Sequence, residues 1–236
     1  MPFFPKQIQI STLIFDMDGV ITDTMPYHFR AWETVFKTVG IDPSHEDIYK
    51  REGQKGIESV REIFNERKIP YTNTIGKKLL LDKEKLFKRI FKRNFISGSR
   101  IFIKKYHSLG FKLGLVTGTS RHEAKKLLPK ELWECFDVTV CGCDVQNGKP
   151  HPEPYLKAIK KLKVKPKDAV VFENAPFGIR SAKAAGLLCL SLETSLPASY
   201  LKGADAVFSS FKELQSKVEF IRHSDPARTG KNHKTS

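Results

Sequence analysis

Ser11-Thr12-Leu13-Ile14-Phe15-Asp16-Met17-Asp18-Gly19 is a short apolar run closed by two acids and a glycine. The run has no helical spacing and is too short for a buried helix, so Ser11–Phe15 reads as a strand buried on both faces. Asp16 and Asp18 then emerge at its carboxyl end. Residues two apart share a side of an extended chain, and in the tight turn that Gly19 permits the two carboxylates converge on one small volume. Acids held that close repel each other and call for a cation or a proton between them. An Mg²⁺ ion with a phosphate ligand answers that need, because Mg²⁺ takes oxygens from one or two carboxylates together with phosphate.

Working outward, the strand is followed by a helical block. Phe29, Trp32, Val35, Phe36 and Val39 recur at helical spacing up to a stop at Gly40; Ile57, Val60, Ile63 and Phe64 repeat the pattern, as do Leu79, Leu86, Phe87, Ile90 and Phe91. Nothing between Met25 and Ile96 alternates like a strand. Beyond it, elements alternate: helix Ser99–Leu109, strand Lys112–Val116, a helix opening at Ser120 with Glu123 completing a capping box, and strand Val138–Cys141. Helix Pro152–Leu162, strand Ala169–Phe172, helix Phe177–Ala185, strand Leu188–Leu192 and a short strand near Ala206 follow. This order predicts an α/β fold, a Rossmann-like parallel sheet core with an inserted helical cap domain. The core is expected over 1–22 and 98–221, the cap over 23–97 with hinges near Thr22–Thr24 and Ile96–Ser99, and a disordered basic tail over 222–236.

The bulk numbers set the frame. The 236 residues suffice for a full core, and 40% hydrophobic with 28% charged residues is ordinary for a globular protein. No apolar run approaches the roughly 20 residues that span a bilayer, and the start lacks a secretory pattern, so a cytoplasmic monomer without membrane contact is the expectation. Cys135, Cys141, Cys143 and Cys189 form neither a disulfide framework nor a zinc spacing. The net charge of +15 raises nucleic acid as a partner, but the lysines are spread along helices and no aromatic-interleaved motif accompanies them. The positive field is read as steering for a phosphorylated substrate.

Asp16-Met17-Asp18-Gly19-Val20-Ile21-Thr22-Asp23-Thr24 resembles the first signature of the haloacid dehalogenase-like phosphatase and phosphomutase superfamily, and Tyr27-His28-Phe29-Arg30-Ala31-Trp32 is similar to its branch of beta-phosphoglucomutase and sugar-phosphate phosphatases. The resemblance extends in pieces from about residue 10 to about residue 208. It implies Asp16 as the nucleophile that forms an aspartyl-phosphate, and Asp18 as the acid and base that serves the leaving oxygen and the incoming water. Thr117 and Gly118, in Val116-Thr117-Gly118-Thr119-Ser120, would bind phosphoryl oxygens; Lys149, in Gly148-Lys149-Pro150, would neutralise charge on them. Asp16, the Asp18 carbonyl, Glu173 and Asn174 would hold Mg²⁺, with Asn174 standing where many members carry Asp and Glu173 bearing more of the charge.

In the cap, His28, Gln54 and Lys55 are candidate substrate contacts, with Tyr27 and Arg51 beside them. The stretch Arg51–Ser59 departs from the mutase pattern: Gly56 stands where an arginine gripping a distal phosphate is expected, and a lysine such as Lys55 cannot reproduce its bidentate geometry. The expectation is a phosphatase for a small phosphorylated metabolite. A phosphosugar mutase is the alternative, and a non-catalytic binding member is the alternative of another class.

Overall fold

The computed structural model describes residues 4–222. In chain order its elements are β1 (Gln7–Ile10), β2 (Thr12–Phe15), α1 (Met25–Lys37), α2 (His45–Tyr49), α3 (Gly56–Glu66), α4 (Asn73–Ile90), α5 (Ser99–Ser108), β3 (Lys112–Val116) and α6 (Arg121–Leu127). They continue with α7 (Lys130–Trp133), β4 (Val138–Val140), α8 (Glu153–Leu162), β5 (Ala169–Glu173), α9 (Pro176–Ala184), β6 (Leu188–Leu192), β7 (Ala206–Phe208), α10 (Phe211–Lys217) and β8 (Glu219–Arg222). Six strands form one parallel sheet in the order β4-β3-β2-β5-β6-β7.

Period-two alternation explains how the sheet acquires two apolar faces. Leu13 and Phe15 of β2, Leu113 and Leu115 of β3 and Val170 and Phe172 of β5 point to one side, where Phe102 of α5, Leu127 of α6 and Phe211 of α10 cover them. Phe15 stacks on Phe172 with ring centroids 4.9 Å apart. Ile14, Val116 and Val171 point to the other side, against Tyr155 and Ile159 of α8 and Ile179 of α9. A strand covered on both faces has no polar face to show, which is why β2 is wholly apolar apart from Thr12.

Helices α1–α4 form the block between β2 and α5. Its own core joins Trp32, Val35 and Phe36 to Val60, Phe64 and Leu79. The two connectors to the sheet run side by side: Thr22 and Phe95 form an antiparallel bridge, the Asp23 amide donates to Asn94 O at 3.1 Å, and the Ile96 amide donates to Ile21 O at 3.0 Å. These are the segments expected to act as hinges.

Other elements were not foreseen. β1 and β8 make a separate two-stranded parallel ladder in which Ile10 pairs with Arg222, so Arg222 ends a strand instead of opening the tail. The tail beyond it, 223–236, lies outside the described residues. Helix α2 is a single turn closed by a reciprocal cap between Ser44 and Asp47. At α6, Ser120 accepts from the Glu123 amide at 3.4 Å, but the Glu123 carboxylate completes no box and turns instead to Lys88 at 2.8 Å. Among the described residues no helix is long and apolar enough to cross a membrane.

Candidate active site

The carboxyl ends of β2, β3 and β5 lie side by side, and in an open parallel sheet that edge is where ligands bind. Met17–Thr22 folds into a tight turn there, with the Ile21 and Thr22 amides both donating to Met17 O and the Gly19 amide to Thr22 O at 2.7 Å. Gly19 has φ +85°, and a Cβ on it would lie 2.1 Å from Asn174 Nδ2, so only glycine lets β2 and β5 bring their polar ends this close.

Asp16 and Glu173, both 1% exposed, share the Lys149 ammonium, which donates to Asp16 Oδ1 at 2.5 Å, Glu173 Oε1 at 2.6 Å and Val116 O at 3.3 Å. Tyr155 also donates to Glu173 Oε1, at 2.5 Å, and the Asn174 amide to Oε2 at 3.1 Å. Two carboxylates face one amine, so one negative charge is in surplus. Burial would lower the Lys149 pKa, but Asp16 and Glu173 outweigh it and hold the amine above its usual value. Asp16 carries the surplus: burial raises its carboxyl well above the usual range despite Lys149, and Glu173 and Asp18 push the same way.

Asp18 is enclosed differently. Thr24 donates to its Oδ1 at 2.5 Å and Thr119 to its Oδ2 at 3.2 Å, with Thr117 Oγ1 3.5 Å from the same oxygen. His28 Nε2 lies 3.4 Å from Oδ1, while His28 Nδ1 lies 2.9 Å from Lys83 Nζ. An ammonium only donates, so Nδ1 accepts and the network assigns the ring proton to Nε2, facing Asp18. Phe87 stacks on the imidazole at 4.3 Å, and Lys83 stands 5.3 Å above the centroid of Trp32. Burial raises the Asp18 pKa, but the hydrogen bonds from His28 and Thr24 overcome it and leave it below the usual value.

Burial, reinforced by Lys83, lowers the His28 pKa. The unfolded chain therefore takes up this proton first, and stability falls as pH drops below about 6.5. His28→Gln, which removes the titrating ring, is expected to flatten the pH dependence of the melting temperature in that window, measured between pH 7 and pH 5. The contribution of Asp18 is lost only below about 3.9, so the two windows separate.

Above these groups the cap and the sheet edge enclose a cavity of about 370 Å³, lined by His28, Glu52–Lys55, Lys83, Phe87, Gly118 and Thr119 among others. Gly53, at φ +76°, crosses directly over Lys149 and Gly118: a Cβ on Gly53 would lie 2.4 Å from Lys149 Cδ, and one on Gly118 2.8 Å from Gly53 O. The expected cap contacts are placed unequally. Gln54 lines the cavity, but its amide is held by Glu62 at 2.7 Å and by Ser59 at 2.9 Å. Lys55 also lines the cavity, at the side where the cap meets the core. Its amine donates to Val145 O and Gln146 O, tying the cap to a core loop. Arg51, 4% exposed, is drawn into the cap by Asp47 O, Glu62 and Glu66. Glu52, which the sequence did not single out, is half-buried on the cavity wall; burial, Asp18 and Asp16 hold its pKa well above the usual value.

The same residues bear on the metal. Among the described residues no three His, Cys, Asp or Glu side chains gather around one point. The donors left free are of another kind: Asp16 Oδ2 and Asn174 Oδ1 are the buried side-chain oxygens at this edge with no hydrogen-bond partner. Ser195 orients the Asn174 amide by accepting from Nδ2 at 2.9 Å, which turns Oδ1 away from it. One carboxylate oxygen and one amide oxygen beside a surplus negative charge fit a hard divalent cation. Glu173, expected to carry more of its charge, instead has its oxygens engaged by Lys149, Tyr155 and the Asn174 amide.

The comparisons with known proteins agree with this arrangement. The "Phosphorylated carbohydrates phosphatase" of Thermotoga maritima is 36% identical over 75% of this chain and 82% of its own length. The "Beta-phosphoglucomutase" of Bacillus subtilis is 29% identical over 87% and 92%. The crystal structure of beta-phosphoglucomutase from Clostridium difficile superposes with a TM-score of 0.75, covering 88% of this chain and 96% of that one at 27% identity. The model of the haloacid dehalogenase-like hydrolases matches residues 13–191, which takes in the acidic turn, the cap, Lys149 and the Glu173–Asn174 edge, and the chain belongs to that family.

Proposed function

We propose that this chain is a Mg²⁺-dependent phosphatase that hydrolyses a small phosphate monoester through a phosphorylated Asp16. The observation that carries the reading is the pairing of a surplus carboxylate, Asp16, held in place by Lys149, with a second carboxylate, Asp18, held by Thr24 and by His28 and Thr119 of the cavity lining. Asp16 attacks phosphorus, the bond to the leaving oxygen breaks, and Asp18 supplies the proton to that oxygen. Asp18 is a carboxylate at neutral pH, and an arriving phosphate dianion raises its pKa, so substrate binding is what loads the acid. In the second half Asp18 takes a proton from water, which attacks phosphorus and frees Asp16. Thr117 and Gly118, which follow β3 at the same sheet edge, would bind the phosphoryl oxygens, and Lys149 would offset their charge. Asp16, the Asp18 carbonyl and Asn174 would hold Mg²⁺, whose charge offsets that of the phosphoryl group, with Glu173 beside them holding Lys149 and the Asn174 amide.

Hydrolysis is favoured over mutase chemistry because, among the described residues lining the cavity, the cap offers no arginine free to grip a distal phosphate with two parallel hydrogen bonds. Arg51 is paired with Glu62 and Glu66, Lys55 is tied to the core loop, and Gly56 packs against Leu80 and Trp32. The Thermotoga relative named as a carbohydrate phosphatase supports the same choice. The test is phosphate release with Mg²⁺ across sugar phosphates, glycerol phosphate and phosphoglycolate, with beta-glucose 1-phosphate interconversion followed in parallel. Isomerisation outrunning release would make the chain a mutase; silence in both would leave a binding protein.

Asn174 offers a separate check on the metal. Asn174→Asp adds a third acid to the Asp16–Glu173 pair, and roughly 10-fold tighter Mg²⁺ binding is expected by titration calorimetry. The metal-free variant should also melt below the wild type, because its surplus charge is larger. Unchanged Mg²⁺ affinity would remove Asn174 from the metal site.

A further inference from the structure

The cavity that receives the leaving group has an uneven charge balance. On its cap wall Arg51 is paired with Glu62 and Glu66 and Lys55 is held by two backbone carbonyls, while Lys83 donates to the neutral His28 ring and has no carboxylate partner within ion-pair distance among the described residues. Among the described residues the Glu52 carboxylate makes no hydrogen bond and no ion pair, although it lines the cavity within one residue of the Gly53 crossing over Lys149. A half-buried carboxylate without a donor is costly until something supplies one.

We propose that Glu52 is the specificity-determining residue of the cavity: it accepts a hydrogen bond from a hydroxyl or an ammonium of the leaving group and rejects leaving groups that carry a second phosphate. The substrate class is then the monophosphate of a neutral polyol or sugar, or of its amino-bearing counterpart. This rests on the phosphatase reading and narrows it. A second phosphate would enter a space whose wall presents the unpaired Glu52 acid, with Lys83 the one lining ammonium not already held by oxygens, and like charges brought together in a desolvated site are strongly disfavoured. A hydroxyl or ammonium there satisfies the carboxylate and places the ester oxygen beneath it, toward Asp18. Glu52 is a positioning and selecting group in this scheme; the bonds that form and break are those at Asp16 and Asp18.

The experiment compares kcat/KM for fructose 6-phosphate and fructose 1,6-bisphosphate, and for glucosamine 6-phosphate and glucose 6-phosphate, in the wild type, Glu52→Gln and Glu52→Asp. Glu52→Gln keeps the shape and removes the charge, so the bisphosphate-to-monophosphate ratio is expected to rise about 10-fold and the preference for the amino sugar to fall by a similar factor. Glu52→Asp keeps the charge and should hold both ratios near the wild-type values, which a merely structural role would not produce. Ratios unmoved in Glu52→Gln, with release still abolished by Asp16→Asn, overturn the assignment to Glu52 and leave the phosphatase standing. If the wild type releases phosphate from none of the four nor from p-nitrophenyl phosphate, the phosphatase reading falls and this inference falls with it.

Discussion

Asp16→Asn is expected to reduce phosphate release by a factor on the order of 10⁴ or more while leaving the fold intact. An amide is isosteric with the carboxylate but does not attack phosphorus, so the covalent route is closed. The stability result should run the other way. The Asp16 pKa is raised in the folded protein, mainly by burial, so its charged form costs stability once pH rises above the unfolded value of about 3.9. At pH 7 the amide removes that cost, and Lys149 keeps Glu173 as its partner at 2.6 Å. Denaturation of the variant at pH 7 should therefore show stability equal to or above that of the wild type. Retained turnover would dismiss Asp16 as the nucleophile. Lost turnover with an unfolded protein would say only that the site holds the fold together.

Lys149→Met should lose both properties. It removes the ammonium that Asp16 and Glu173 share and leaves two carboxylates, each 1% exposed, with no opposing charge. Breaking a buried pair from one side costs about 3–5 kcal/mol, because the remaining charge is stranded in a medium that solvates it poorly. The pH dependence distinguishes this from simple loss of packing. Stranded carboxylates have folded pKa values above their unfolded ones, so the deficit is smallest below about pH 3.9, where both states are largely protonated, and grows as pH rises. Chemical denaturation at pH 4.5 and pH 7.5 should show the gap from the wild type widening with pH. An equal gap at both would mean that Lys149 contributes shape and not charge. Activity is expected to fall at least 10³-fold, since the same ammonium offsets the phosphoryl charge.

Much of this architecture was legible because its signals are local. Leu13-Ile14-Phe15 is short, apolar and followed by acids and a glycine, so a buried strand with a polar end follows from periodicity and turn chemistry alone. Lys112–Val116 and Leu188–Leu192 read as strands with the bounds the structure shows. β1 and β8 were missed because each is a four-residue edge strand whose partner lies at the far end of the chain. Helix α2 was missed because a single turn is too short to display a period.

The site divides in the same way. Asp16, Asp18, Thr117, Lys149, Glu173 and Asn174 all follow strands or loops at one sheet edge, a position that order along the chain already implies once the sheet is parallel. What sequence order leaves open is which charge meets which. That Lys149 sits between Asp16 and Glu173, that Tyr155 caps Glu173, and that Lys83 orients His28 are contacts between residues far apart in sequence. They depend on how β5, α8 and α4 pack and not on any motif. Lys55 and Arg51 show the converse: both carry the charge a phosphate would want, but the fold pairs Arg51 with Glu62 and Glu66 of the cap and gives Lys55 two carbonyls of a core loop. The chain by itself determined the parallel sheet, the inserted helices and the acidic edge, because strand period, turn glycines and residue type act over a few residues. The tertiary structure decided the pairing of charges and the unsatisfied Glu52, because electrostatic energy in a buried site depends on distances that local sequence does not set.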